Sequence, residues 1–308
     1  VYISSYKNAS TTGIVGRANG AKGGNVYING GRAEIKVPNI GVLAQGGETA
    51  GPGRIEVSGG ELNVTVSDGS AADVEAIYAQ GAEADILVTG GAVSVNAEGS
   101  GTMLSVGVYA DRNIEIRGGS LHAGARNKGG AGSAFGAGAQ GEISVSGGEF
   151  VAYGDTAALD SAAAPVLAEK MGVFAASDAD GIKGSVYDAK QWGSYKYLKF
   201  ESTEIVSVTV SPPAAGAERG KTMQFTAAVQ GTGSYSGEVE WKIAGAESAG
   251  TKIDGNGLLT VAEDETAESI VITAVSAEDP EKSGSVTVSI FPASGGGTQG
   301  NSGGGVPV

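Results

Sequence analysis

The sequence predicts an all-β chain in two parts, a right-handed parallel β-helix followed by a β-sandwich. Three observations carry that expectation. A unit built around Gly-Gly recurs at near-constant spacing from Val26 onward, and the strand pattern changes character after residue 202. Glycine is also abundant, at 54 of 308 residues. It punctuates regularly alternating Val and Ile, an order that disordered low-complexity chain lacks.

The unit reads apolar-x-apolar-x-Gly-Gly-x-apolar-x-apolar-x-apolar. It occurs as VYINGGRAEIKV, IEVSGGELNVTV, ILVTGGAVSVNA, IEIRGGSLHAGA and ISVSGGEFVAYG. The leading residues Val26, Ile55, Ile86, Ile114 and Ile143 are 29, 31, 28 and 29 positions apart. Period-2 alternation on both sides of the Gly-Gly describes two half-buried strands meeting at a corner, where glycine supplies the positive φ. A shorter strand precedes each of the last four units, as GVLAQ, AIYAQ, GVYAD and AGAQ, and GIVGR is an earlier copy. Three strands per repeat make one turn of a β-helix. The interior columns are then Val26/Ile55/Ile86/Ile114/Ile143, Ile28/Val57/Val88/Ile116/Val145, Ala33/Leu62/Val93/Leu121/Phe150 and Ile35/Val64/Val95/Ala123/Ala152.

Residues 155–202 break the repeat. The Ala-rich DTAALDSAAAPVLAEKMGVF reads as a short helix or an irregular strand, and YKYLKF, with Tyr195, Tyr197 and Phe200, as a closing strand. A solenoid needs such a cap, because its last rung otherwise exposes unpaired backbone. The predicted division is a β-helix with its cap over 1–202, a sandwich over 203–292 and a flexible Gly/Ser linker over 293–308. The sandwich strands are IVSVTVSPP, KTMQFTAAV, EVEWKI, GNGLLTV, SIVITAVS and GSVTVSIF, with Trp241 expected in the core. The opening Val1-Tyr2-Ile3 reads as the middle of an element, and the linker as leading onward. The chain is therefore expected to be part of a longer protein with further domains.

Composition excludes several function classes. The formal charge of −14, with no basic run, disfavours nucleic acid and anionic membrane surfaces. The absence of cysteine removes disulfides, thiolate nucleophiles and zinc–sulfur sites. No segment is long and apolar enough for a spanning helix, so membrane insertion is not expected.

The second part resembles the group 2 bacterial immunoglobulin-like family over about 90 residues, making its expected fold an immunoglobulin-like β-sandwich. The resemblance rests on VSVTVSP at 206–212, the stretch 225–229, VEWKI at 239–243, DGNGLLTV at 254–261, and AVSAEDP followed by SGSVTVSI. It implies display on a bacterial surface as a spacer or adhesion module. The first part resembles the Gly-Gly-repeat β-helices of secreted Gram-positive proteins, including a carbohydrate-binding group, through its INGG- and VSGG-type corners and its YKYLKF ending. Members of that group carry Gly-Ile-Asp motifs linked to calcium, where this chain has GVYAD and AIYAQ.

His122, the single histidine, faces outward beside Ser94 and Val151, with no nucleophile to activate. Glu56 and Glu115 fall two rungs apart with Leu87 between them, which reads as solvated surface rather than a glycosidase pair. Arg117 and Glu115 suit a surface ion pair. Asp178 and Asp180, in Asp-Ala-Asp-Gly, have the spacing of half a calcium loop or of a turn; no other cofactor is indicated. If Val42, Ile77 and Val108 point inward, Leu43, Tyr78 and Tyr109 point outward on consecutive rungs. The next outward row is Gln45, Gln80, Asp111 and Gln140. Tyrosine faces accept the C–H face of a pyranose while Gln and Asp bond its hydroxyls, so Tyr78, Tyr109, Gln80, Asp111 and Gln45 form the candidate ligand site. A structural tyrosine ladder is the competing reading. The leading functional expectation is a non-enzymatic module, secreted or on a bacterial cell surface. It binds polysaccharide, a host or cell-wall glycan, or mediates adhesion. A structural stalk is the first alternative, and a polysaccharide lyase or glycoside hydrolase the second.

Overall fold

A computed structural model describes residues 2–4, 12–17, 23–46, 51, 53–67, 73–129 and 131–293. Its compact units meet between Thr203 and Glu204, and each has its own apolar core. The linker expected over 293–308 lies outside the described residues except for its first, as do parts of the inter-rung loops 46–53 and 127–134.

The first unit is a parallel β-solenoid of about four turns. The Gly-Gly units stack in one sheet. Val26–Val37, Ile55–Ser67 and Ile86–Gly99 run through the corner as single strands, and later rungs divide there into Ile114–Ile116 with Ser120–Asn127 and Ile143–Val145 with Glu149–Gly154. The second sheet holds Thr12–Arg17, Ile40–Gln45, Val74–Gln80, Ser105–Ala110, Ala134–Ala139 and Ala157–Ser161, all parallel. GIVGR is thus an earlier rung of this sheet.

All four expected columns pair in register, for example Val26 with Ile55, Ile55 with Ile86, Ile86 with Ile114 and Ile114 with Ile143. Their members from Ile55 to Phe150 are buried. The corner works as the glycine argument requires: Gly31, Gly60, Gly91, Gly119 and Gly148 all have φ between 70° and 81°. One outward position departs from expectation. Leu87 faces out between Glu56 and Glu115 by register, yet is only 6% exposed.

Strict alternation fails at the middle of the second sheet. Ala76 and Ile77 are consecutive and both buried, as are Gly107 and Val108. There the backbone itself presses against the opposite sheet. A Cβ at Gly107 would lie 2.5 Å from the carbonyl oxygen of Gly136 on the neighbouring strand and 3.0 Å from the nitrogen of Gly124 in the opposite sheet, so no side chain fits there. This extra inward residue returns Glu75, which alternation would send inside, to the outer face, in register with Ile40 and Val106.

The cap over 155–202 is built from strands Ala157–Ser161, Val166–Leu167 and Met171–Ala176; the helix considered for its Ala-rich stretch does not form. The regular helix among the described residues is a 3₁₀ turn, Ala189–Ser194, whose Lys190 N–H donates to the Asp188 carboxylate at 2.9 Å. YKYLKF closes the solenoid through Tyr197–Ser202, which pairs antiparallel with Glu149–Gly154 and with Met171–Ala176. Phe200 stacks on Phe150 at 5.4 Å, continuing an interior column into the cap. Arg126 bonds Asp155 (3.1 Å) and Asp180 (2.5 Å) while lying over the Tyr153 ring, tying the cap to the last rungs.

The second unit is a β-sandwich. Ala215–Glu218, Ser283–Phe291, Ser269–Ser276 and Val239–Ala244 form one sheet. Glu204–Ser211 pairs with Thr226–Thr232, and Leu258–Thr260 lies between Thr222–Gln224 and Lys252–Ile253. The aromatic in the core is Phe225, fully buried; Trp241 packs at its edge and is only half-buried, a correction to the sequence expectation. Glu265 is a buried carboxylate that the sequence did not single out. It accepts the backbone N–H groups of Glu247, Thr266 and Ala267 at 2.9–3.0 Å, and the Thr251 hydroxyl and these bonds hold its pKa down to about 2.

Candidate functional site

The outer face of the second solenoid sheet gathers the predicted residues. Val42, Ile77 and Val108 are buried inward, and Leu43, Tyr78 and Tyr109 pair in register on the outside, each half-buried. The tyrosine rings meet edge to face, with centroids 5.7 Å apart and planes at 65°. That arrangement suits the ring quadrupoles and leaves part of each ring in solvent.

Polar groups are fixed around the rings. The Tyr78 hydroxyl donates to Asp111 Oδ1 at 3.2 Å, and Asp111 Oδ2 accepts the Gly81 N–H at 2.8 Å. Gln45 Nε2 donates to Gln80 Oε1 at 3.0 Å across the rungs, and Gln140 bonds the Tyr109 hydroxyl. Each amide and the carboxylate keep spare hydrogen-bonding capacity for a ligand hydroxyl. Next on the tyrosine row is Gly138, then Asp160. A Cβ at Gly138 would lie 2.8 Å from Tyr109 Cδ2, so the missing side chain is what lets this ring lean along the row.

Sequence reasoning missed three members of this face. Glu75 and Phe135 flank Val106 on the row beside the tyrosines, and Asp160 lies two rungs beyond Tyr109. Asp160 and Phe135 were legible from the repeat once its last copies were aligned. Glu75 was not, because the extra inward residue shifts it by one position. Burial, reinforced by Asp73 and Asp111, raises the Glu75 carboxyl to about 7. Burial raises both phenols too, helped by Asp111 and Glu75, so Tyr78 and Tyr109 are neutral at physiological pH.

The remaining candidates are engaged elsewhere. Asp178 accepts the N–H groups of Asp180, Ile182 and Lys183, which makes it the organiser of a turn. Asp180 is paired with Arg126. Among the described residues no group of three or more His, Cys, Asp or Glu side chains is placed to hold a metal ion. His122 meets Glu149 at 2.5 Å, and Glu149 also meets Lys199 at 3.1 Å, so the histidine belongs to a surface ion network. Arg112 pairs with Glu83 and Asp85, and Arg117 with Glu115. Glu56 and Glu115 stand two rungs apart with Leu87 between them.

Among the described residues no helix is long and apolar enough to cross a membrane. An 80-residue stretch is 39% identical to the major capsid protein of Bacillus phage B103, covering 25% of this chain and 18% of that protein. The chain thus spans less than a fifth of that relative's length. Residues 204–288 match the bacterial Ig-like domain (group 2), and such domains occur in extracellular and surface proteins. With the all-β strands around one apolar core over the same residues, the second unit of this chain is a group 2 bacterial Ig-like domain.

Proposed function

We propose that the solenoid is a non-enzymatic surface module that binds polysaccharide on the outer face of its second sheet, with the Ig-like domain serving display. The observation that carries this reading is the half-exposed Tyr78–Tyr109 pair, in register and bordered by Gln45, Gln80 and Asp111. The rings offer an apolar surface for sugar C–H groups, and the amides and carboxylate offer directional partners for hydroxyls. Consecutive rungs lie about 4.8 Å apart, close to the length of one sugar residue, so a chain crossing the rungs meets the same chemistry repeatedly. Display on a bacterial cell fits the Ig-like neighbour, and the likeness to a stretch of a phage capsid protein extends the reading to a virion surface.

A glycan array on the purified chain is the direct test, followed by the double variant Tyr78→Ala/Tyr109→Ala. The expected outcome is loss of binding with an unchanged circular dichroism spectrum, each ring contributing about 1 kcal/mol. The second reading is a stalk, in which the same tyrosines knit adjacent rungs through their edge contact and the Tyr78–Asp111 bond. For a stalk, the double variant lowers the melting temperature and the array is blank.

A further inference from the structure

Charge on the tyrosine face is one-sided. The described strands of the second sheet carry Glu75, Asp160 and Arg17 as their charged residues, and Asp73 and Asp111 flank Val74–Gln80 and Ser105–Ala110. Arg17 pairs with Gln45 in register, three rungs from Asp111, and Arg112 is turned to Glu83 and Asp85. Asp111, Glu75 and Asp160 act electrostatically on the Tyr109 ring, and Asp111 and Glu75 on Tyr78. A ligand seated on these rings therefore meets acidic neighbours before any cation. At physiological ionic strength charges beyond about 8 Å are screened, so these carboxylates outweigh the chain's distant net charge.

We infer that the Tyr78–Tyr109 face is a charge-selective glycan site, taking neutral or amine-bearing sugars and rejecting uronates, sialylated chains and phosphodiester-linked polymers, with Glu75 and Asp160 as the specificity-determining residues. The inference rests on the binding reading above. Its chemistry is simple: an anionic sugar placed on the rings adds a charge near like charges, at a cost of roughly fivefold in affinity per ionised facing carboxylate at about 4 Å in a water-like medium. Glu75, raised to about 7, adds its share as pH rises above that value. An ammonium group gains by the same interaction and by the ring faces. Asp111 is committed to Tyr78 and Gly81 and orients the site, so the filter is tested at the other two acids.

The test compares a neutral oligoglucan, its glucosamine counterpart and the glucuronate of the same linkage on the intact chain, together with the charged and uncharged members of a glycan array. Glu75→Gln, Asp160→Asn and their combination are the variants, with Glu240→Gln in the Ig-like domain as a control outside the solenoid. Binding of uncharged or amine-bearing chains with at least tenfold discrimination against the acidic ones is expected. The combined variant should recover acidic binding several-fold while the control leaves it unchanged. Equal or preferential binding of acidic chains by the unaltered protein overturns the inference and leaves the glycan reading intact. Discrimination that survives the combined variant overturns the roles of Glu75 and Asp160. A protein that binds no member of either set overturns both readings. Should Glu75→Gln disturb folding, the exposed Asp160→Asn alone carries the comparison.

Discussion

Ile86 and Ser94 lie on one strand and face opposite ways, Ile86 2% exposed in an interior column and Ser94 in solvent. An aspartate at Ile86 places a charge among Ile55, Ile114 and Val88 with nothing to pair it, so Ile86→Asp should cost several kcal/mol. Ser94→Asp should be nearly neutral, and chemical denaturation of the two variants reads the difference. Equal costs would mean the register is wrong by one residue, since a one-residue slip exchanges the faces. Leu87 is no substitute control, because Glu56 and Glu115 stand on either side of it and leave it nearly covered. Glu75 shows the same logic through titration. Its carboxyl is raised from about 4.5 to about 7, so the folded state holds a proton that the unfolded chain releases earlier. Stability from this group is complete below about pH 4.5 and is lost as pH rises through 7, by about 3 kcal/mol at the extreme. The melting temperature of the solenoid should therefore fall between pH 5 and 8, and Glu75→Gln should flatten that slope.

At the scale of the element, the tyrosine row depends on what its neighbours lack. Tyr109 leans over Gly138 because no Cβ stands there, and Tyr78 and Tyr109 come together by register on adjacent rungs, while Gly107 and Ala76 are buried inward beside them. The corner glycines do a different job, holding positive φ where the strand turns between two faces. Small residues in this sheet thus shape both the interior and the candidate site. The aromatic pair itself serves either a ligand or the ladder, and the two uses separate by measurement: the double tyrosine variant removes affinity in one case and melting temperature in the other.

At the scale of the whole molecule, the solenoid and the Ig-like domain keep separate apolar cores, one extending from Val26 to Phe200 and one from Ile205 to Ile290. Each buries large side chains completely, Phe150 and Phe200 in the first and Phe225 in the second. Fragments 1–203 and 204–293 should accordingly each unfold in a cooperative transition of their own, observable by calorimetry. Failure of both to fold would place the domain boundary elsewhere. Repeat solenoids pass stability from rung to rung, so the capped end held by Tyr197–Ser202 and Arg126 is expected to open last in hydrogen exchange.

Much of this was legible in the residues alone, for a physical reason. A β-helix repeats one local solution, so alternation around each Gly-Gly determines which side chains face inward and the spacing determines which of them stack. That is why the columns from Val26 to Ile143 and from Ala33 to Phe150, and the adjacency of Tyr78 and Tyr109, followed from periodicity. Tertiary structure decided what periodicity cannot carry. The inward press of Ala76 and Gly107 against the opposite sheet moved Glu75 onto the tyrosine face, and it depends on the distance between two sheets rather than on either strand. The burial of Leu87, the choice of Phe225 over Trp241 for the sandwich core, and the use of Asp178 and Asp180 in a turn and an ion pair are likewise settled by contacts between segments far apart in the chain.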